Sequence, residues 1–169
     1  YVPQDNFLFS DTIVKNICFN LANDDLEKAK KYAEFASVAK DIEDFPDQYE
    51  TILGERGVTL SGGQRQRISI ARAMIKEAPI LIMDDSVSAV DTETEEKILN
   101  YVHDLRQNKT TLIVAHRIST VKDLDRIVLV EEGKIIGVGT HLELLQNSKA
   151  YQDIVLLQEL EKEEGEIDG

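Results

Sequence analysis

The sequence predicts an α/β fold with a parallel β-sheet core and an inserted α-helical subdomain. Residues 24–45 have a helical pattern, and breakers at Pro46 and Gly54 follow it. From residue 78 onward, short apolar runs alternate with helices. Such runs of β-branched and leucyl residues are typical of strands buried on both faces of a parallel sheet. We therefore expect a helical subdomain at about 5–77, the α/β core at about 78–147, and a C-terminal helix with an acidic tail at about 148–169.

The predicted strands follow one another along the second half of the chain. They are "APILIMDD" (78–85), "TTLIVAH" (110–116), "RIVLVEEG" (126–133) and "KIIGVG" (134–139). A helical stripe that includes Ile98 and Val102 lies between the first two runs, which predicts a right-handed strand–helix–strand crossover. A tight turn at 131–134 joins the last two strands.

Several helix boundaries can be predicted from local signals. A helix starts near residue 62, and Thr140 with Glu143 has the spacing of a capping box for a short helix. Residues 148–163 have the pattern of one more amphipathic helix.

The chain opens without methionine in "YVPQDNFLF", which indicates the end of a strand turning at Pro3, as expected of a fragment of a longer protein.

Composition excludes some classes of function. With 32 acidic against 19 basic residues, the formal charge is -13, so we expect no nucleic acid as a partner. Cys18 is the sole cysteine, which excludes an internal disulfide. No apolar run approaches the ~20 residues of a membrane-spanning helix, so we expect any link to a membrane to come through another domain or subunit.

A serine, two glycines and a glutamine open the helix that starts near residue 62. Ser61 and Gln64 have the spacing of a capping box, which by itself would explain a good helix start. Gly62 and Gly63 are not needed for a cap, and in a helix interior each would cost about 1 kcal/mol relative to alanine. Bare amides at a helix N-terminus favour a phosphate, although paired glycines also mark plain turns.

Polar side chains end the first two predicted strands. Asp84 and Asp85 close the first strand, and His116 closes the second. Because the carboxyl ends of parallel strands share one edge, we expect these side chains at the edge where open α/β sheets bind ligands. A carboxylate there can hold Mg²⁺, and a second can orient an attacking water. Each feature alone also has a structural explanation, as a turn signal or a structural histidine.

Taken together, these motifs resemble the nucleotide-binding domain of an ATP-binding cassette (ABC) transporter. "LSGGQ" at 60–64 is similar to the signature sequence and "ILIMDD" to the Walker B strand. "SAVD" at 88–91 resembles the D-loop, "AH" at 115–116 the switch histidine, and "YVPQD" the Q-loop centred on Gln4. The motifs follow the family's order over residues 1 to about 140.

The resemblance implies a P-loop NTPase-like fold with ATP and Mg²⁺ as ligands, and it assigns roles to individual residues. It implies that Asp85 and His116 are catalytic and that Gln4 and Asp84 hold Mg²⁺. It also implies that a second group of residues contacts nucleotide across a head-to-tail dimer with a second nucleotide-binding domain. That group comprises Ser61, Gly62, Gly63, Gln64 and Asp91. Gln4 is also implied to be a cofactor-binding residue.

The sequence departs from the family at two places. The glycine-rich phosphate loop G-x-x-x-x-G-K-[ST] does not occur, and in the family it lies upstream of the Q-loop. These residues alone are therefore expected to bind ATP poorly and to have weak or no ATPase activity. In addition, Asp85 stands where the family normally has glutamate, whose carboxylate reaches one methylene further. This resembles the degenerate-site subunit of a heterodimeric multidrug exporter.

The loop before the signature favours an exporter. "ILGERG" at 52–57 resembles the exporter segment that, together with the Q-loop, meets the cytoplasmic helices of the transmembrane domains. The implied protein is an ATP-driven exporter at the cytoplasmic face of the cell membrane, attached to the membrane only through its transmembrane domains. The alternatives are a soluble ABC-type ATPase of translation or DNA repair and a non-hydrolysing regulatory ABC subunit.

Overall fold

The structure is a computed structural model that describes residues 1–19, 21–54 and 59–167, with side chains described as far as residue 161. The chain divides into two compact units, Tyr1–Val114 and Ala115–Gly169. Within the described ranges, no helix is both long enough and apolar enough to cross a membrane.

The first unit contains more helix than strand. They are α1 (Ile13–Ile17), α2 (Leu26–Phe35), α3 (Ala39–Glu43), α4 (Gly62–Met74) and α5 (Thr92–Leu105), with a 3₁₀ helix at Gln48–Glu50. The helical pattern predicted over 24–45 is interrupted between α2 and α3. Ser37 has a φ of 55° there, and a residue in this left-handed conformation ends an α-helix.

The first unit also contains the predicted parallel strand pair. Strand β1 (Ile80–Asp84) pairs in parallel with β2 (Thr110–Val114), and α5 connects them. Val2 lies beside β1, because its amide donates to the Ile82 carbonyl at 2.8 Å and its carbonyl accepts from the Asp84 amide at 2.9 Å. The start of the chain therefore runs along β1 toward its carboxyl end.

The core of the first unit lies between the helices and one face of the strand pair. Its largest fully buried side chains include Ile42, Ile68, Ile70, Met83 and Ile98. Fully burying an aliphatic side chain of this size contributes about 1.5–3 kcal/mol. This cluster fixes α4 and α5 relative to β1, and these are the elements on which most of the predicted site residues lie.

Arg72 of α4 holds the segment that follows Gln4. Its guanidinium donates to the carbonyl oxygens of Phe7 at 2.8 Å and Asn16 at 2.7 Å, and it lies over the ring of Phe9. Burial lowers the pKa of Arg72 to about 10, so the side chain stays charged at neutral pH. The N-terminal segment is thereby attached to α4 as well as to β1.

The second unit is built on a β-hairpin and three helices. Helix α6 (Ile118–Val121) precedes the antiparallel strands β3 (Ile127–Glu131) and β4 (Lys134–Gly139), which α7 (His141–Asn147) and α8 (Lys149–Ile167) follow. Glu132 and Gly133 both have positive φ, as two-residue hairpin turns require, which confirms the predicted turn. The predicted capping box of Thr140 and Glu143 is present. Ile127, Leu144 and Tyr151 form the buried core of this unit.

Among the described residues, strands β2 and β3 are not buried on both faces, although their composition is typical of such strands. In β2, Leu112 is 53% exposed and Val114 is 47% exposed, and in β3 the exposed positions are Val128 and Val130. Both described sheets have two strands. Because successive side chains of a strand point to opposite faces, every second residue faces away from the core.

At the amino ends of β1 and β2, the buried side chain of Arg106 binds the backbone. It donates to the carbonyl oxygens of Ala78 at 3.0 Å and Thr110 at 2.9 Å, and to the Thr111 hydroxyl at 2.9 Å. We expect Arg106→Met to lower the free energy of unfolding by about 3 kcal/mol, because it removes all the hydrogen bonds that this buried guanidinium donates. Urea unfolding followed by circular dichroism measures this.

The matched control is Lys109→Met. Lys109 donates to the Glu77 carbonyl at 3.2 Å from an exposed position, so its loss should change stability by no more than about 0.5 kcal/mol. Equal unfolding midpoints for the two variants would contradict the role assigned to Arg106.

Candidate functional site

Asp84 and Asp85 lie at the carboxyl end of β1. Asp84 is the last residue of the strand, and the amide of Asp85 donates to the Val114 carbonyl of β2 at 2.8 Å. Asp85 has a φ of 45°, a left-handed conformation that aspartate tolerates better than most residues. The chain therefore turns directly after the strand, and both carboxylates stay at the edge of the sheet.

The N-terminal segment brings two further side chains to these carboxylates. The Gln4 side-chain amide donates to Asp85 Oδ2 at 3.4 Å, and the Tyr1 hydroxyl donates to Asp84 Oδ2 at 2.9 Å. This hydrogen bond to Asp84 raises the pKa of Tyr1, because ionisation would place a second negative charge beside the carboxylate. Gln4, Asp84 and Asp85 therefore meet at one edge, and Tyr1 is a neighbour that sequence reasoning missed.

The capping box predicted at the start of α4 is present. Ser61 Oγ accepts from the Gln64 amide at 3.1 Å, and Gln64 Oε1 accepts from the Ser61 amide at 3.0 Å. The Gln64 side chain also donates to Asp41 Oδ1 at 2.9 Å. The Gln64 amide is thus already bound within the chain, whereas the amides of Gly62 and Gly63 belong to the first turn, which an α-helix leaves without intrahelical partners.

The two glycines have different surroundings. A Cβ added to Gly62 would meet no atom of the described chain within 4 Å. A Cβ on Gly63 would lie 3.0 Å from the Ala89 carbonyl oxygen, which is tighter than an ordinary contact. Gly63 therefore permits close packing of α4 on the segment that contains Ala89, whereas internal packing does not require a glycine at position 62.

Gln66 is a second residue that sequence reasoning missed. It is 2% exposed, its Nε2 donates to the Asp85 carbonyl at 3.1 Å, and its Oε1 accepts from the Ala89 amide at 3.0 Å. The side chain thereby ties α4 to the backbone on both sides of the turn that follows Asp85. The available signal was its place four residues before Ile70, on the apolar face of the helix.

Asp91 and His116 have local partners of their own. Asp91 is the N-cap of α5, and its carboxylate accepts from the Thr94 amide at 2.9 Å, a hydrogen bond that lowers the pKa of Asp91. His116 belongs to the second unit, where its side chain is exposed and its carbonyl accepts from Gln158 Nε2 at 2.7 Å. The nucleotide role of Asp91, and a shared edge for His116 and Asp84, stay predictions.

The donor set at the end of β1 fits Mg²⁺ as it is held in nucleotide sites. Among the residues that the structure describes, no cluster of three or more His, Cys, Asp or Glu could enclose a metal ion. Mg²⁺ bound with a nucleotide needs fewer protein ligands, because one or two carboxylates, waters and phosphates complete its shell. Asp84 offers such a carboxylate, and Gln4 offers an amide oxygen, since its nitrogen is the atom directed at Asp85.

A cleft of about 720 Å³ lies beside this edge, within the first unit. Gln4, Phe7, Gly54, Gly62 and Ala89 are among the residues that line it. Part of the predicted contact loop "ILGERG" borders the cleft through Leu53 and Gly54, and Glu55 to Gly57 lie outside the described residues.

Comparisons with known proteins agree with this geometry. The family described as "ABC transporter" matches residues 1–88. The chain is 44% identical over 158 residues to the ATP-dependent lipid A-core flippase of Pseudoalteromonas translucida (strain TAC 125), a match that covers 93% of this chain and 27% of the flippase. It is 46% identical over 159 residues to YgaD of Bacillus subtilis (strain 168), named as a multidrug export ATP-binding/permease protein, covering 94% of this chain and 27% of that protein.

A solved structure extends the likeness to the fold. The structure of a bacterial Atm1-family ABC exporter with ATP bound has a TM-score of 0.88 and 39% sequence identity, and the match covers 93% of this chain and 28% of that one. The chain thus spans about a quarter of the length of the relatives it matches. The chain belongs to the ABC transporter family, and its fold is the P-loop NTPase-like α/β fold of the nucleotide-binding domain of ABC exporters.

Proposed function

We propose that this chain is part of the ATP-binding and hydrolysing motor domain of an ABC exporter, which powers export of a substrate as a head-to-tail dimer. The observation that carries the proposal is the convergence of Gln4, Asp84 and Asp85 at the carboxyl end of β1. The relatives named above as a flippase and a multidrug export protein support the exporter class.

Each residue of this edge has a distinct task in the proposed reaction. Asp84 and the Gln4 amide oxygen would hold Mg²⁺, which when bound neutralises charge on the phosphates. The Asp85 carboxylate accepts a hydrogen bond from Gln4, which fixes its orientation, and its free oxygen can accept a proton from an attacking water. The resemblance to ABC nucleotide-binding domains assigns His116, in the second unit, a hydrogen bond to the γ-phosphate.

The start of α4 serves the other nucleotide of the dimer. Ser61, Gly62 and Gly63 would face the γ-phosphate of an ATP held by the partner domain, and the helix dipole favours that negative charge. The Gln64 amide is bound to Ser61, so it supports this surface by fixing the cap. Asp91 would approach the same interface from the start of α5.

The short side chain of Asp85 supports a heterodimer in which the two nucleotide sites hydrolyse ATP at different rates. Its carboxylate is one methylene shorter than that of glutamate, and a displacement of about 1 Å can slow a reaction on the order of 100-fold. The site with Asp84 and Asp85 would therefore keep its ATP mostly unhydrolysed, and the partner's site would turn over. The isolated chain is expected to have weak or no activity.

The transmembrane domains would dock in the cleft beside Gln4. This cleft is bordered by the segment that follows Gln4. It is also bordered by Leu53 and Gly54, two described residues of the loop that is predicted to meet the transmembrane domains. Movement of a docked helix would reach the nucleotide edge through Gln4, since Arg72 holds the intervening segment. The domain would thus work at the cytoplasmic face of the cell membrane.

A single substitution tests the proposed nucleotide site. We expect Asp84→Asn in the full-length exporter to weaken Mg²⁺-dependent ATP binding at its own site about 10-fold or more, because it removes the charged ligand. Equilibrium binding of a fluorescent ATP analogue with and without Mg²⁺ measures this. Asp104→Asn is the matched control, since Asp104 is exposed near the far end of α5. Unchanged Mg²⁺ dependence in Asp84→Asn would contradict the proposal.

A further inference from the structure

We propose that Gln158 of α8 is a positioning residue that holds the loop carrying His116. Its Nε2 donates to the His116 carbonyl at 2.7 Å, and its Oε1 accepts from the Ile118 amide at 2.8 Å. One side-chain amide therefore binds the backbone on both sides of residue 117. The inference rests on the proposed function, in which His116 contacts the γ-phosphate.

This pair of hydrogen bonds restrains the peptide groups next to the histidine. The amide of Ile118 is the first of α6, and an α-helix provides no internal partner for it. Gln158 supplies that partner and, through the other end of the same planar group, fixes the carbonyl of His116. The backbone from 116 to 118 cannot rotate without breaking one or both bonds.

Gln158 is itself held in place by the packing of α8. Tyr151, Val155 and Gln158 are spaced at i, i+4 and i+7, which places them on one face of the helix. Tyr151 and Val155 pack in the apolar cluster that also contains Ile118 and Val121 of α6. The apolar side chains of this face fix α8 against α6, and Gln158 at the end of the face binds the loop that carries His116.

The backbone restraint matters because the His116 side chain is exposed. Its direction depends on the backbone that carries it, and a catalytic group misplaced by about 1 Å can lose on the order of 100-fold in rate. The C-terminal helix thus acts on the reaction through His116 and need not touch the nucleotide.

Two variants of Gln158 and a matched control separate positioning from stability. Gln158→Leu removes both hydrogen bonds, while Gln158→Glu keeps the acceptor for Ile118 and loses the donor to His116. Gln152→Leu is the control, because Gln152 on the same helix also binds backbone, donating from Nε2 to the Leu145 carbonyl at 2.6 Å. All are made in the full-length exporter within its native dimer.

The first measurement is hydrogen exchange of the peptide spanning residues 115–121. We expect faster exchange in Gln158→Leu and no change in Gln152→Leu. Equal exchange in the two variants would overturn the proposed restraint. This readout needs no ATP, so it stands apart from the proposed function.

The second measurement is single-turnover hydrolysis, followed to completion, at the slow site containing Asp84 and Asp85. We expect both Gln158 variants to slow it about 10-fold or more, with little change in ATP affinity, and Gln152→Leu to stay near wild type. In a His116→Ala background, Gln158→Leu should add no further loss, since it acts through that side chain. An equal loss in both backgrounds would refute positioning. If His116→Ala alone hydrolyses normally while exchange changes as expected, the restraint stands and the proposed role of His116 fails.

Discussion

Replacing Gly62 with aspartate is expected to abolish hydrolysis at the partner's nucleotide site while leaving this chain folded. The variant places a carboxylate where the proposed function puts the γ-phosphate, and losing one preorganised contact to the reacting charge slows reactions about 100- to 1000-fold. Stability should not fall, because a Cβ at Gly62 meets no atom of the described chain within 4 Å. An acidic residue is also favourable in the first turn of a helix.

Gly62 is substituted because a Cβ there disturbs no contact within the described chain, so a loss of hydrolysis can be assigned to the nucleotide. The same change at Gly63 would press against the Ala89 carbonyl and disturb packing within the chain, so its effect could not be assigned to nucleotide. Gly62→Ala is the matched control for volume without charge. Ser61→Ala removes the cap, which costs about 1 kcal/mol, together with one proposed contact to the phosphate. Hydrolysis is measured at each site of a complex in which only this subunit is mutated. Normal turnover at the partner's site in Gly62→Asp would refute the role of α4 across the dimer.

Lengthening the side chain at position 85 is expected to have the opposite effect on this chain's own site. Asp85→Glu should raise turnover there by up to about 100-fold, because the carboxylate would regain the reach that the family normally provides. Aspartate and glutamate have similar reference pKa values, about 3.9 and 4.3, so basicity does not explain the gain. The left-handed backbone at Asp85 costs glutamate about 1 kcal/mol more, which lowers stability slightly.

The test of Asp85→Glu uses the full-length dimer with the partner's own site inactivated. Asp84→Glu serves as the control, since moving the proposed metal ligand should lower turnover. An unchanged rate in Asp85→Glu, in a complex whose partner has an intact signature sequence, would show that reach does not limit this site.

The helix caps and the pairing of the strands could be predicted from the sequence, whereas the contacts of individual side chains with distant backbone could not. The capping boxes of Ser61 with Gln64 and of Thr140 with Glu143 follow from side chains three residues apart. The parallel pairing of β1 with β2 follows from apolar runs separated by a helix. Gln66 and Gln158 bind backbone far along the chain, and no local pattern indicates those partners.

The burial of a strand and the end of a helix also depend on the elements packed around them, which the local sequence does not specify. The runs at β2 and β3 were predicted to be buried on both faces because of their composition, which is that of covered strands. Their exposure is set by packing on a single face, and composition does not specify this. The break at Ser37 was missed for a related reason, because the residues on either side of it continue a helical pattern.

The contacts of Arg106 have a consequence for how such a domain can evolve. They secure the amino ends of β1 and β2, whereas Asp84 and Asp85 occupy the carboxyl end of β1. The stabilising contacts and the proposed chemistry therefore lie at opposite ends of the same short sheet. An exchange of glutamate for aspartate at position 85 would leave the contacts of Arg106 intact. In the proposed heterodimer, a subunit with a slow site could therefore keep its fold and be retained for the surface that it offers to its partner.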